Sequence, residues 1–90
     1  MFRLIFSSKF DKDLKICKKR NYSIAQIVEV LELLKTNGIV PAKNKPHKLS
    51  GIYNQCWECH IRPDWLLIWK IDRIENKIEL VRTGTHSDLF

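Results

Sequence analysis

The three histidines of this 90-residue chain, His47, His60 and His86, all fall in its C-terminal half. Histidine ordinarily titrates near neutral pH, so it can give or take a proton there. Any one of them taken alone is more often a surface or capping residue than a catalytic one. Together with Asp64 and Arg82, they have the composition of an acid–base site.

Alternation along a predicted strand places two of the candidates side by side. Glu58 and His60 are two residues apart, so they share one face of a strand. The opposite face carries the apolar set Trp57, Cys59 and Ile61. If that set packs against helices, Glu58 and His60 lie on the open face of the sheet.

The charge balance points toward polyanions. The chain has 16 Lys and Arg against 10 Asp and Glu, a net charge of +6 with a pI near 9.4. Such an excess favours phosphate-rich partners because each neutralised phosphate releases counterions, although a merely well-solvated surface has the same composition. Arg82 is accordingly either an exposed strand-end residue or a phosphate clamp, since guanidinium binds two phosphate oxygens at once.

A cysteine motif points to different chemistry. Cys56-Trp57-Glu58-Cys59-His60 fits the pattern of covalent haem attachment, and its cysteines could also form a redox pair or half a zinc site. Against this, no export signal is seen, Met1 is a poor axial ligand, and strand cysteines three apart point to opposite faces. We expect no metal and no cofactor, and keep a Cys/His metal or haem protein as an alternative.

A strand and two helices are predicted ahead of the candidate residues. Residues 2–6 alternate in the manner of a short strand. An amphipathic helix follows, with Ser7 and Ser8 as N-cap candidates and Ser8 with Asp11 as a capping box. A second begins at Ser23, also with a capping box, and stops at Gly38. Both apolar stripes are interpreted as core packing.

Three strands are predicted in the remainder, after a loop. The loop covers residues 39–50, and the strands cover residues 54–61, 65–71 and 78–83. Because short-linked consecutive strands pair antiparallel, we predict an α+β fold with a three-stranded meander completing one sheet and two helices on one face. Residues 84–90 are predicted to form a turn or short helix.

The composition is globular, with 44% hydrophobic and 29% charged residues. Ninety residues are enough for one modest core, so we predict a single domain over residues 1–90. The first apolar run, residues 4–6, is too short for a membrane span or a signal peptide. We expect a cytoplasmic protein with no membrane partner.

Three blocks of the sequence occur in a recognisable order and spacing. They are His47-Lys48-Leu49-Ser50-Gly51, the run Glu58-Cys59-His60-Ile61-Arg62-Pro63-Asp64-Trp65 with the apolar residues after it, and Arg82-Thr83-Gly84-Thr85-His86-Ser87-Asp88-Leu89-Phe90. Together they resemble the YafQ-like branch of the RelE toxin–antitoxin superfamily. The last two blocks are the specific ones, and the N-terminal half matches only in its strand–helix–helix pattern.

The resemblance implies a RelE-like fold and a type II toxin that cuts messenger RNA in the ribosomal decoding site. It also implies a cognate antitoxin, together with which the toxin would bind operator DNA. By position, the catalytic set would be His47, His60, Asp64, Arg82, His86 and Phe90, with Trp65 beside it and Glu58 supporting it.

Metal-independent RNA cleavage can proceed by attack of a ribose 2′-hydroxyl on the adjacent phosphate. The reaction needs a base, an acid and positive charge for the phosphorane. Under this hypothesis His60 or Asp64 is the base and His86 the acid. His47 orients or shares either role, and Arg82 stabilises the phosphorane.

RNA binding is assigned to Lys43, Lys45, Lys48, Trp65 and Phe90. Phe90 would stack on an unpaired base, as aromatic side chains do on single-stranded RNA, and Trp65 would belong to the core or to a wall of the site rather than stack. The lysines would dock RNA through phosphate contacts. The alternative from another class is a non-catalytic RNA- or protein-binding module on the same scaffold.

Overall fold

A five-stranded mixed sheet with two helices packed on one face builds the molecule; the computed structural model describes all of residues 1–90. The elements are β1 (Arg3–Phe6), α1 (Ser8–Lys19), α2 (Ile24–Asn37), β2 (His47–Lys48), β3 (Trp57–Arg62), β4 (Trp65–Asp72), β5 (Lys77–Gly84) and α3 (His86–Leu89), with 3₁₀ turns at Ala42–Asn44 and Gly51–Tyr53. The α+β prediction is confirmed. None of the helices is long and apolar enough to cross a lipid bilayer.

The sheet order is β1-β5-β4-β3-β2, and β3 to β5 form the predicted antiparallel meander. The first strand pairs in parallel with the last, because the two helices carry the chain back across the sheet between them. The loop predicted at residues 39–50 also contains strand β2, in which His47 pairs with Glu58. Two residues are too few to show strand periodicity, which is why the loop prediction was wrong there.

Both predicted capping boxes are wrong in detail. Of the two predicted N-cap residues, Ser7 rather than Ser8 caps α1, accepting a hydrogen bond from the Phe10 amide at 3.0 Å. Its hydroxyl also donates to the Val81 carbonyl, a tertiary bond that the local pattern could not reveal. Ser23 is the N-cap of α2 but makes no side-chain cap bond. The stop at Gly38 is confirmed, with a left-handed φ of 72°.

Apolar side chains fill both faces of the sheet. The main core lies under α1 and α2 and includes Trp65, Leu67 and Trp69 of β4. A second cluster on the opposite face contains Leu66 and Ile68. Strand β4 is therefore apolar at successive positions because both of its faces are covered.

Candidate active site

The three histidines meet on the sheet face opposite α1 and α2. His47 comes from β2, His60 from β3, and His86 is the first residue of α3. The ring centroids of His47 and His60 lie 6.4 Å apart, and those of His60 and His86 lie 5.9 Å apart. The sheet and the C-terminal helix thus gather residues spread over half of the chain into one row, which we call the histidine row.

Hydrogen bonds fix the orientation of two of these rings. Nδ1 of His47 is 3.0 Å from the Lys45 carbonyl, and Nδ1 of His60 is 3.1 Å from the Pro63 carbonyl. A carbonyl oxygen can only accept, so Nδ1 carries the proton and donates in both cases. In the neutral ring, Nε2 then has a free lone pair, which is the form a general base needs.

Asp64 holds the third ring. Its Oδ1 accepts from the His86 backbone amide at 2.9 Å and from the His86 Nδ1 at 2.6 Å. These two bonds hold the pKa of Asp64 below its usual range, and the bond from the backbone amide has the larger effect. The Asp64 carboxylate thereby fixes the orientation of the His86 ring, while Nε2 of His86 stays available to a substrate.

Glu58 lies between the first two rings rather than on an open surface. Only 4% of the residue is exposed, and its Oε1 lies 3.2 Å from Nε2 of His47 and 4.0 Å from Nε2 of His60. Glu58 therefore lies on the predicted face of β3, but that face is buried at Glu58 and not open to solvent as expected. A carboxylate oxygen and an unprotonated Nε2 are both acceptors, so the 3.2 Å contact needs a proton on one of them. His47 and Glu58 thus lie within ion-pairing distance of each other.

The second carboxylate oxygen of Glu58 is buried and has no hydrogen-bond partner. An unpaired buried polar atom is costly, and such atoms concentrate at functional sites. The sequence pattern predicted Glu58 as a supporting residue; the structure puts its carboxylate in direct reach of two of the three histidines.

Arg82 is anchored by a residue that the sequence patterns did not single out. Its Nε and Nη2 donate to the carboxylate of Asp13 at 2.7 and 3.0 Å, and the Thr83 amide donates to the same carboxylate at 3.1 Å. The hydrogen bonds to Asp13 raise the pKa of Arg82 above its usual value. None of the hydrogen bonds of Arg82 reaches a histidine or Asp64, and Asp13 leaves Nη1 of the guanidinium unoccupied.

The two aromatic residues assigned to RNA binding have opposite environments. Phe90 is 62% exposed and contacts Tyr53 edge to face, with centroids 5.4 Å apart. Trp65 is 1% exposed and donates its Nε1–H to Thr83, so it lies in the main core. This corrects the assignment of Trp65 to RNA binding. Burying its large apolar ring stabilises the fold, so the ring lies in the core and not at the surface.

The three lysines assigned to RNA binding are all exposed but do not converge. Lys43 and Lys45 line a cavity of about 420 Å³ between α2 and β3, which His60 also lines. Lys48 instead places its Nζ 5.8 Å from the Trp57 ring centroid. Because neighbours along a strand alternate, Lys48 faces away from the side that His47 occupies.

The cysteine motif does not form a ligand set. Cys59 belongs to the main core and Cys56 to the cluster on the opposite face, as the strand periodicity predicted. Burial raises the pKa of the Cys59 thiol to about 12. No group of three or more His, Cys, Asp and Glu side chains is arranged to hold a metal ion. The geometry therefore does not favour the metal or haem alternative built on these residues.

Comparison with known proteins decides the family. The model of a family described as the bacterial toxin YafQ of type II toxin–antitoxin systems matches residues 2–90. The chain belongs to the YafQ toxin family. A curated relative, the mRNA interferase toxin YafQ of Escherichia coli strain K12, is 34% identical over 86 residues, which are 94% of this chain and 91% of the relative.

Solved structures of similar proteins share the fold of this YafQ-family toxin. The metal-bound toxin from Helicobacter pylori is 41% identical, with a TM-score of 0.91 and full coverage of both chains. A chain of the E. coli DinJ–YafQ complex is 32% identical, with a TM-score of 0.90, covering 100% of this chain and 99% of that one. The family match confirms the predicted YafQ-like membership. The predicted endoribonuclease class is also confirmed, because the curated relatives are named mRNA interferase toxins.

The YafQ-family site depends on residues outside the three sequence blocks. Asp13 follows Phe10 by three residues and precedes Cys17 by four, so it falls on the buried stripe of α1, where a carboxylate needs a partner. That spacing is the signal by which Asp13 could have been found. Arg20 and Tyr53 also contact the C-terminal segment, but their partners are 68 and 36 residues away and no local pattern reports them.

Proposed function

We propose that this toxin, acting as a single domain over residues 1–90, cleaves messenger RNA through the histidine row. The observation that carries the proposal is the meeting of His47, His60 and His86 with ring centroids within 6.4 Å of their neighbours. In each ring Nδ1 is tied to a backbone or carboxylate oxygen; in His60 and His86, Nε2 is therefore the atom left for proton transfer, whereas Nε2 of His47 contacts Glu58.

His60 is the favoured general base. It is the middle ring of the row, and its Nε2 carries the free lone pair that can accept the proton of a ribose 2′-hydroxyl. Asp64, the other candidate, has a lowered pKa and accepts two hydrogen bonds from His86. A carboxylate stabilised in its charged form is a weak base. Asp64 is therefore assigned to orienting His86.

His86 is the general acid. The Asp64 carboxylate at its Nδ1 stabilises the imidazolium, so that Nε2 can deliver a proton to the leaving 5′-oxygen. His47 and Glu58, which lie within ion-pairing distance of each other, are on the other side of His60 and orient the base. Acid and base then approach the scissile phosphate from two neighbouring rings.

Arg82 supplies charge for the phosphorane. Asp13 occupies its Nε and Nη2, which fixes the plane of the guanidinium and leaves Nη1 unoccupied. A donor that is held in place beforehand costs no reorganisation when negative charge develops. The exposed Phe90 ring stacks on a base, and Lys43 and Lys45, in the segment before β2, hold phosphates of the bound RNA. Lys48 is left for docking elsewhere on the ribosome.

The proposed partners follow from the family and the chemistry. An E. coli relative forms a complex named DinJ–YafQ, and we assign to this toxin a cognate antitoxin, with operator DNA bound only by the pair. The ribosome, presenting messenger RNA, is the substrate complex. With these partners, we assign the protein to the cytoplasm.

The test is cleavage of a defined messenger RNA with and without programmed ribosomes, each with and without EDTA, because the H. pylori relative is metal-bound. Cuts that require ribosomes and survive EDTA are expected. Binding of RNA without cut ends would replace the proposal with the non-catalytic module. Cuts lost in EDTA and restored by a divalent metal would overturn the metal-independent mechanism.

A further inference from the structure

The helix that carries His86 cannot hold itself in place. α3 has only four residues, His86–Leu89. A single helical turn gains too few hydrogen bonds to offset its ordering entropy in isolation. Its position, and with it the position of His86, depends on contacts from other elements.

Arg20, at the end of α1, supplies one such contact. Its Nη1 and Nη2 donate to Oδ2 and Oδ1 of Asp88 at 2.6 and 3.1 Å. The same Asp88 carboxylate accepts from the Thr85 amide at 2.9 Å, and the Asp88 amide donates to the Thr85 hydroxyl at 3.2 Å. This capping box spans the turn that contains His86. Arg20 therefore acts on that turn through the Asp88 carboxylate, which it binds directly.

Asp88 is packed as well as paired. A Cβ at Gly84 would lie 2.8 Å from Asp88 Oδ2, and Gly84 has a φ of 155°. Glycine at this position lets the carboxylate sit against the backbone that enters α3. The pKa of Asp88 lies well below its usual range, chiefly because of the hydrogen bonds from Arg20, so the pair stays charged at neutral pH.

Tyr53 supplies the contact at the other end of α3. Its hydroxyl donates to the Leu89 carbonyl at 3.0 Å, and its ring contacts Phe90 edge to face. Leu89 itself is 4% exposed in the second apolar cluster. The C-terminal segment is thus held at its first turn by Arg20 and at its end by Tyr53.

We propose that Arg20 and Tyr53 are positioning residues for RNA cleavage, which hold α3 so that His86 stays against Asp64 and Phe90 stays beside the site. The inference rests on the proposed function. Neither residue contacts His86 or belongs to the three sequence blocks that resemble the family. Displacement of a catalytic group by about 1 Å can cost on the order of 10²-fold in rate, so a modest contact can have a large catalytic effect.

The competing explanation for Arg20 is direct contact with RNA, and Asp88→Asn separates the two. Asparagine keeps an oxygen for the capping box but weakens the pairing with Arg20. If Arg20 positions α3, Asp88→Asn and Arg20→Met lower kcat together, and the double variant is no worse than either single one. If Arg20 binds RNA, Asp88→Asn frees it and leaves cleavage unchanged or faster, while Arg20→Met raises KM.

The experiment measures kcat and KM on programmed ribosomes for Arg20→Met, Asp88→Asn, their double variant and Tyr53→Phe. Lys18→Met, which removes an exposed charge from the same helix end, is the matched control. We expect kcat to fall about 10-fold in the test variants, with KM within about twofold of the wild type. Arg20→Lys, which keeps the charge without the paired donors, should recover part of the rate and serves if Arg20→Met does not fold.

A second readout does not depend on activity. Hydrogen exchange of the amides in residues 86–90 should accelerate at least about 10-fold in the test variants, while exchange in β4 stays unchanged. Wild-type kcat together with unchanged exchange in Arg20→Met and Tyr53→Phe would overturn the inference. Absence of cleavage by the wild type would instead remove the proposed function, and accelerated exchange would then still show that the two residues hold α3.

Discussion

Replacing His86 with alanine is expected to lower the rate of RNA cleavage by about 10²–10⁴-fold, the usual contribution of a general acid. The His86 side chain is 55% exposed, and its only hydrogen bond is the one from Nδ1 to Asp64. The His86 amide still donates to Asp64 in the variant, so α3 keeps its place. The measurement is single-turnover cleavage on programmed ribosomes, with thermal unfolding to show that the fold persists.

Ser87→Ala is the matched control for that variant. Ser87 follows His86 on the same helix, is exposed and makes no side-chain hydrogen bond, so the rate should stay within about twofold of the wild type. The cleavage rate of Asp64→Asn should lie between those of His86→Ala and Ser87→Ala, because an amide oxygen can orient His86 without stabilising its charged form. A loss of less than about tenfold for His86→Ala would exclude it as the acid.

Replacing Asp13 with alanine is expected to destabilise the fold by about 3–5 kcal/mol, the range for breaking a buried ion pair. Asp13 is 7% exposed and accepts from the Arg82 guanidinium twice and from the Thr83 amide once. Without it, a partly buried cation and a buried amide lose their partners. Since small domains have only about 5–15 kcal/mol of stability, urea unfolding should show a large shift.

Asp11→Ala is the control for the ion pair, because Asp11 lies exposed in the first turn of the same helix and should cost less than about 1 kcal/mol. The double variant Asp13→Leu with Arg82→Met should be more stable than Asp13→Ala alone, since it removes the unpaired charge. Cleavage by the double variant should still fall, because the phosphorane loses its cation. A cost below about 1 kcal/mol for Asp13→Ala would show that the pair is not structural.

Strand periodicity allowed much of the site to be predicted from the sequence. Glu58 and His60 share a face, and Cys59 points the other way, because alternation depends only on the local backbone. The continuous apolar run of β4 likewise predicted a strand that is covered on both faces. Such features need no knowledge of which segments meet.

Features that depend on distant partners could not be predicted in this way. The parallel pairing of β1 with β5, the two-residue strand β2 and the burial of Glu58 arise from tertiary packing. The partner of Asp13 lies 69 residues away, and the spacing in α1 shows only that a buried carboxylate needs some partner. Trp65 was assigned to RNA binding through the family resemblance, with the core or a wall of the site as its expected location, and its side chain lies in the main core.

The most direct test of the histidine row is cleavage of a messenger RNA that carries a single 2′-deoxynucleotide on the 5′ side of the cut. Attack by the 2′-hydroxyl requires that group, so the substituted RNA should resist cleavage on programmed ribosomes. The unmodified RNA should yield a 2′,3′-cyclic phosphate and a 5′-hydroxyl end, and His86→Ala should suppress both. Cleavage of the deoxy-substituted RNA at the wild-type rate, with 5′-phosphate ends, would contradict the mechanism, because water would then be the nucleophile.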